Sequence, residues 1–442
     1  MSRLDGVLTA KEFLKNQTLV QDFFYTKDIQ LWVLNHTFEL CEELVLGNNN
    51  AKMILTSNMT VVLQGLNKDK RIFPFFIENL QTTDHGELIE TIGKLLGNML
   101  KYYTNINIEN IDEIQKHVKV LVHNINSYPI CDYIISLLTH DTYQKCETLK
   151  LLCKEGVVHF LFEEYINHKS YGVTRIIKEI VLWKHMYNVG IVGEVFVDNC
   201  NTEPLLPQLY SSIFETQDVD GIETVGYLLT LSPSNDELCK IPIDGLPSIY
   251  RLLLPFYGKI SEWLTLPQTT EPTVVLGNAR IQTVYLVLSL VVSNYYEVFA
   301  SIIKHKILRK VFDIFFDKRH NCTIVRQMVV DIAIIILQQQ SSPLRNELFE
   351  YGILEKCIDI DKYAVQYRAK HNMYPDIFGL NQNIIKSLYS QDDLEDDEFI
   401  NYVETVIADR NSTPTVYLSD SVQTYEVTSD WNDGLPIIDY GM

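Results

Sequence analysis

Apolar residues recur along this chain at the three- and four-residue spacing of a single helical face, with no alternating strand pattern between the stripes. Leu88, Ile92, Leu95, Leu96, Met99 and Tyr103 make one stripe; Ile111, Ile114, Val118, Leu121, Val122 and Ile125 make another. Further apolar segments follow at 132–138, 157–166, 173–183, 205–214, 221–231, 246–256, 279–292, 297–303, 306–316, 323–337 and 346–358, and the breaks hold Gly, Pro, Asn, Asp or Ser. The segments 279–292 and 323–337 are apolar nearly all round, so they must be covered on more than one side. Glycine and proline are scarce, 19 and 14 of 442 residues, which disfavours a β protein with many turns. So many short helices exceed what one compact bundle can bury. The pattern predicts an all-α fold, a right-handed α-solenoid of divergent HEAT- or armadillo-like repeats without a strict period.

Punctuation agrees with that reading. Ser127 before Pro129, Ser232 before Pro233 and Ser342 before Pro343 are candidate caps. The polar, Pro-containing stretch 265–275 predicts a loop between helical blocks. Residues 1–410 are expected to form a single helical-repeat domain. Beyond that, 411–442 has no helical stripe and predicts a disordered tail. Thr413, followed by Pro414, is a minimal proline-directed phosphorylation site in that tail.

The formal net charge of −20 argues against nucleic acid as the main partner. Much of it is local: 391–442 holds 13 acidic residues and one basic residue, Arg410. The eight cysteines form no CxxC and no zinc-finger spacing, and most lie among apolar residues, which predicts buried free thiols in a reducing compartment. The first residues lack a continuous apolar leader, and the apolar runs fall short of the roughly 20 residues that span a bilayer. The expectation is a cytoplasmic protein, also able to act in the nucleus, with no membrane insertion.

No motif carries chemistry. Neither GxGxxG nor GxxxxGK[ST] occurs, nor HExxH, GxSxG or the metal-binding signatures of Ser/Thr phosphatases. The histidines are scattered, and His117 and His123, six apart, do not share a helix face. Paired carboxylates such as Glu42-Glu43, Glu163-Glu164 and Asp392-Asp393 read as solvated helix surface. The chain therefore reads as non-enzymatic, with no cofactor and no metal. One contrast stands out: 304–326 holds seven basic residues (Lys304, Lys306, Arg309, Lys310, Lys318, Arg319, Arg326) against two acidic ones. Such a run can steer an acidic partner, or it can serve as basic helix C-termini that stay solvated.

Several motifs, in order, resemble a known family. Leu276-Gly277-Asn278-Ala279-Arg280-Ile281 opens an apolar helix and is followed by Val311 to Asp317, Asn321 and a second apolar helix. Thr9 to Asp22, Ile92 to Asn98, Asp132 to Leu138 and Tyr374 to Ile385 add further matches along the chain. This is similar to the SAPS domain, found in regulatory subunits that associate with the protein phosphatase 6 type of Ser/Thr phosphatase. The resemblance implies a non-catalytic scaffold that binds a Ser/Thr phosphatase catalytic subunit and directs it to substrates or to a third, ankyrin-type or substrate subunit. It also implies a docking surface in the C-terminal half, with Arg280, Lys318, Arg319 and Arg326 as positive contacts and Asn278, Asn321, Tyr374 and Asn383 as polar or family-matched ones. The family's Trp-Asn-Asn is Arg319-His320-Asn321 here, and its Gly-His-Leu-Thr is Asp376-Ile377-Phe378-Gly379. Without a phosphatase, the same helices would suit an armadillo-like adaptor in trafficking or nuclear transport.

Overall fold

A computed structural model describes residues 8–102, 111–139, 147–187, 190–232, 235, 237–266, 275–320, 322–340, 342–391 and 394–407. Asn321, Thr413, most of the stretch 265–275 and the whole segment 411–442 lie outside them. The described residues are all-helical, with no strand among them and one isolated bridge between Cys239 and Tyr295. No described helix is long and apolar enough to cross a membrane.

The first helices are α1 (Ala10–Lys15), α2 (Gln17–Asp22), α3 (Lys27–Asn35), α4 (Thr37–Val45), α5 (Asn49–Leu55), α6 (Thr60–Lys68) and α7 (Ile72–Thr82). Then come α8 (Gly86–Tyr102), α9 (Ile111–His123), α10 (Tyr128–Leu138), α11 (Glu147–Lys154), α12 (Val157–His168) and α13 (Tyr171–Tyr187). After α14 (Gly190–Thr202) follow α15 (Leu206–Thr216), α16 (Val219–Leu231), α17 (Ser248–Arg251), α18 (Tyr257–Leu264), α19 (Asn278–Val292) and α20 (Tyr296–Lys304). The last are α21 (Ile307–Phe316), α22 (Thr323–Gln338), α23 (Pro343–Glu350), α24 (Ile353–His371), α25 (Ile377–Tyr389) and α26 (Asp397–Tyr402).

Local chemistry sets the ends. Thr9 and Glu12 form a reciprocal capping box on α1, and Asn16 and Asn48 cap α2 and α5 with their side chains. Ser342 accepts from the Leu344 N–H, with Pro343 opening α23, while Ser127 precedes α10 with Pro129 in its first turn. Ser232 instead closes α16. The apolar segment 346–358 divides between α23 and α24 at Gly352, whose φ of 80° belongs to the left-handed region. Cys41, Cys131, Cys153, Cys200 and Cys357 are buried free thiols. Burial pushes the Cys131 thiol up to about 11.

The described residues group into two compact units, one reaching Asn199 and including Glu203–Leu205, the other holding Cys200–Thr202 and continuing from Leu206. In the first unit, α3 packs on α6, α6 on α8, α8 on α10 and α10 on α13. Alongside, α4 meets α7, α7 meets α9 and α9 meets α12. In the second unit α16, α19, α22 and α25 pack in succession, every third helix along the chain, and α18 packs on α21. α19 and α22 are the two segments that read as apolar all round. In α22, Val325, Val329, Val330, Ile332, Ala333 and Ile336 are all fully buried. Valine and isoleucine cost a few tenths of a kcal/mol each in helix propensity. Full burial returns about 1.5–3 kcal/mol per side chain, so burial decides the conformation.

Close approach is bought with glycine at two of these crossings. A Cβ on Gly93 of α8 would lie 2.8 Å from the Ile130 backbone nitrogen in α10, and one on Gly226 of α16 would lie 2.8 Å from the Tyr285 ring in α19. Gly97, one turn along α8, has nothing within 4 Å of that position. Alanine is the better helix former, by roughly 0.5–1 kcal/mol. Gly97→Ala is therefore expected to be neutral or stabilising. Gly93→Ala is expected to destabilise by about 1–3 kcal/mol through overpacking against backbone. Parallel denaturant melts of the two variants check this, and equal effects would contradict the packing argument.

Candidate protein-binding face

Four of the residues singled out from sequence, Lys318, Arg319, Arg326 and Tyr374, fall in one neighbourhood of the second unit, where α21, α22, α24 and the start of α25 meet. Arg326 organises it from inside. Its side chain is 1% exposed, and its guanidinium donates to Asp376 Oδ1 at 2.6 Å and to the backbone oxygens of Asp317 (2.9 Å) and His320 (2.7 Å). Asp317 closes α21 and Asp376 opens α25, where it also accepts from the Ile377 N–H at 2.9 Å. One buried cation thus sits at the carbonyl end of one helix and pairs with the carboxylate at the amide end of another, each charge where helix dipoles favour it. Arg326, expected as a partner contact, is spent on the fold.

His320 completes the joint. It is buried, its Nδ1 accepts from the Cys322 N–H at 3.3 Å, and its Nε2 lies 2.6 Å from the Ile314 carbonyl oxygen. This pattern requires the neutral ring with the proton on Nε2. Burial lowers its pKa, helped by the charge of Arg326 and opposed by the bond to Ile314. Partial burial would raise the Asp317 carboxyl, but hydrogen bonds from the Arg319 side chain and N–H outweigh it and the net shift is downward. Arg319 grips Asp317 with Nε–Oδ1 and Nη2–Oδ2 separations of 2.9 and 2.6 Å.

Outside this joint lies an aromatic and basic surface. Tyr363, Tyr367 and His371 are four residues apart on α24, with ring centroids 5.9 and 4.3 Å apart in sequence. The exposed Lys318 places its ammonium 4.3 Å from the Tyr363 ring centre. Arg368 lies over Tyr374, 4.6 Å from its centre, and donates to its hydroxyl at 2.7 Å. Tyr374 stacks on Phe378 at 4.0 Å. Met373 and Ile324 are exposed. Tyrosine, arginine and methionine with a cationic fringe are the composition of binding surfaces.

The remaining sequence candidates stand apart from these contacts. Asn278 and Asn383 are exposed. Arg280 donates to the Thr265 carbonyl at 3.0 Å, and burial lowers its pKa. Part of the basic run is absorbed by long-range partners: besides Arg326, Arg309 meets Glu347 and Glu350, and Lys310 donates to the Ser261 carbonyl. Its exposed lysines are Lys304, Lys306 and Lys318. Sequence reasoning missed Asp376, although an acid ahead of an apolar run is a capping signal. It missed the Tyr363–Tyr367–His371 ladder too, whose spacing was visible but whose partners were not. The expectation of solvated carboxylate pairs fails at Glu164, whose side chain is 7% exposed. Among the described residues, His123, Glu164 and His168 are the group that could hold a metal ion.

The neutral, buried His320 makes a prediction. Its folded pKa lies below the ordinary value of about 6.5, so as pH falls through that value the unfolded chain binds a proton that the folded chain resists. Its contribution is present above that pH and lost below it. Thermal melts from neutral to mildly acidic pH are expected to fall less steeply for His320→Gln than for the parent chain, since the amide can both accept and donate without titrating.

No family model matches this chain, and no curated protein matches it. Among solved structures, it is similar to an engineered protein determined by crystallography, at 13% identity over 84% of this chain and 87% of the other, with a TM-score of 0.43. A likeness at that level carries no argument about function.

Proposed function

We propose that this chain is a non-catalytic scaffold subunit that captures a Ser/Thr protein phosphatase catalytic subunit of the phosphatase 6 type and directs it to substrates or to a further subunit. The supporting observation is the Lys318–Tyr363–Tyr367–His371 surface, with Arg368 and Tyr374 beside it, next to the joint by which the buried Arg326 ties the end of α21 to the start of α25. A surface already in place loses little ordering entropy on binding. The co-linear SAPS-like motifs supply the identity of the partner. We further infer that the successive helix pairs within each unit are turns of a right-handed α-solenoid of HEAT- or armadillo-like repeats.

One observation favours a second reading. The step of three between α16, α19, α22 and α25 suits three-helix armadillo-like units, and an armadillo-like adaptor in trafficking or nuclear transport needs no phosphatase. Capture of the tagged full chain, followed by immunodetection of phosphatase catalytic subunits, separates the two. The proposed function expects co-purification. It expects Tyr367→Ala to weaken capture by about 5-fold or more, as loss of a central aromatic anchor does. Lys318→Glu is expected to weaken it chiefly at low salt, where a rim charge acts most. Capture without any phosphatase would select the adaptor.

A further inference from the structure

We propose that His123, Glu164 and His168, in the first unit, form a binding site for a divalent transition metal of the zinc class. His123 is the last residue of α9 and His168 the last of α12, and these helices pack together. Glu164 sits one turn before His168 on the same face of α12. Its Oε2 lies 3.5 Å from His123 Nδ1 and 3.1 Å from His168 Nδ1, and the three ligand atoms all fall within 4.8 Å of one another.

Three features point to a cation held by all three. First, a tetrahedral metal with bonds of about 2.0–2.1 Å sets its ligand atoms roughly 3.3 Å apart, and both nitrogen–oxygen edges match that spacing. Second, the Glu164 side chain is 7% exposed, and a buried carboxylate is costly unless cations or hydrogen-bond donors meet it, which here fall to the two histidines. The nearby Lys119 does not meet it, being directed to Glu163 at 3.8 Å and over the Phe160 ring. Third, the carbonyl ends of two helices converge here, adding their negative dipole ends to the carboxylate charge. Two imidazoles and a carboxylate suit zinc and its neighbours better than calcium or magnesium.

The set leaves a fourth position. The residues line a pocket of about 180 Å³ together with Lys119, Phe160 and Asn167, so water or an exogenous donor can complete the coordination. His123 is 69% exposed on its side chain and His168 49%, so the metal has a path from solvent. Only Glu164 and His168 share a sequence spacing, and His123 comes from another helix, which is why motif reasoning excluded a metal.

The test titrates the chelator-treated full chain with cobalt(II) and then zinc at neutral pH. One equivalent of cobalt is expected to give the visible absorption of a tetrahedral nitrogen–oxygen site, bleached by one equivalent of zinc, and zinc is expected to raise the melting temperature. Glu164→Gln, which keeps the shape and an acceptor, and His123→Ala, at an exposed position, are each expected to weaken zinc binding at least about 10-fold while leaving the helical circular dichroism intact. Absence of saturable binding in the parent chain would overturn the proposal. So would binding of equal strength in folded His123→Ala and Glu164→Gln, which would place the metal elsewhere, on thiols.

Discussion

Lateral burial of each helix against its second or third neighbour carries this structure, because few of the helices could persist alone. α1 and α2 have six residues each, and α4, α6 and α20 have nine. Isolated helices shorter than about 12–15 residues are marginal in water. What holds them is tertiary contact, and the sequence invests most heavily where a helix is enclosed on several sides. α16, α19 and α22 illustrate the extreme. Thr230 of α16 bonds with Tyr285 and Ser289 of α19 at 3.2 Å, so even the polar atoms at that crossing are satisfied between helices. Gly226, one turn before, leaves the space against α16 that the Tyr285 ring fills.

A second constraint is electrostatic. Near α22 the second unit must bury a guanidinium, and it does so by giving Arg326 one carboxylate and two carbonyl oxygens. Desolvation of a charge is costly unless such partners are present, and removing any one of them would leave the rest uncompensated. The joint fixes the end of α21 and the start of α25 together, and so fixes where Lys318 and Tyr374 stand. The half-buried tyrosines of α24 lie beside the two residues that this interior joint positions. Asp361, on the buried side of the same helix, anchors it further by accepting from Gln382 and from Tyr402, each at 2.7 Å.

What was legible in the sequence follows from range. Helix positions depend on residues three and four apart, so stripes such as Leu88 to Met99 and the enclosed segments 279–292 and 323–337 correspond to α8, α19 and α22. Charge is different, because its partners come from anywhere. The run 304–326 looks like a single basic feature, yet Arg309 is matched 38 residues away by Glu347 and Arg326 is matched 50 residues away by Asp376. Local counting cannot see those acids. The same blindness applied to His123 and Glu164, whose helices are brought together only by packing.

Three buried carboxylates show how differently one residue type can be satisfied. Glu347 has the permanent charge of Arg309 beside it. Asp361 is met by the neutral donors of Gln382 and Tyr402. Glu164 has two imidazoles, the Nδ1 atoms of His123 and His168, at 3.5 and 3.1 Å. An arginine partner commits a carboxylate permanently to the fold, and amide and phenol donors do the same. Imidazoles do not, since each nitrogen can bear a proton or a metal with little change in ring position. Among these three carboxylates, Glu164 is therefore the one whose counter-charge can be exchanged without dismantling the helices around it, and that separates a binding site from a structural ion pair.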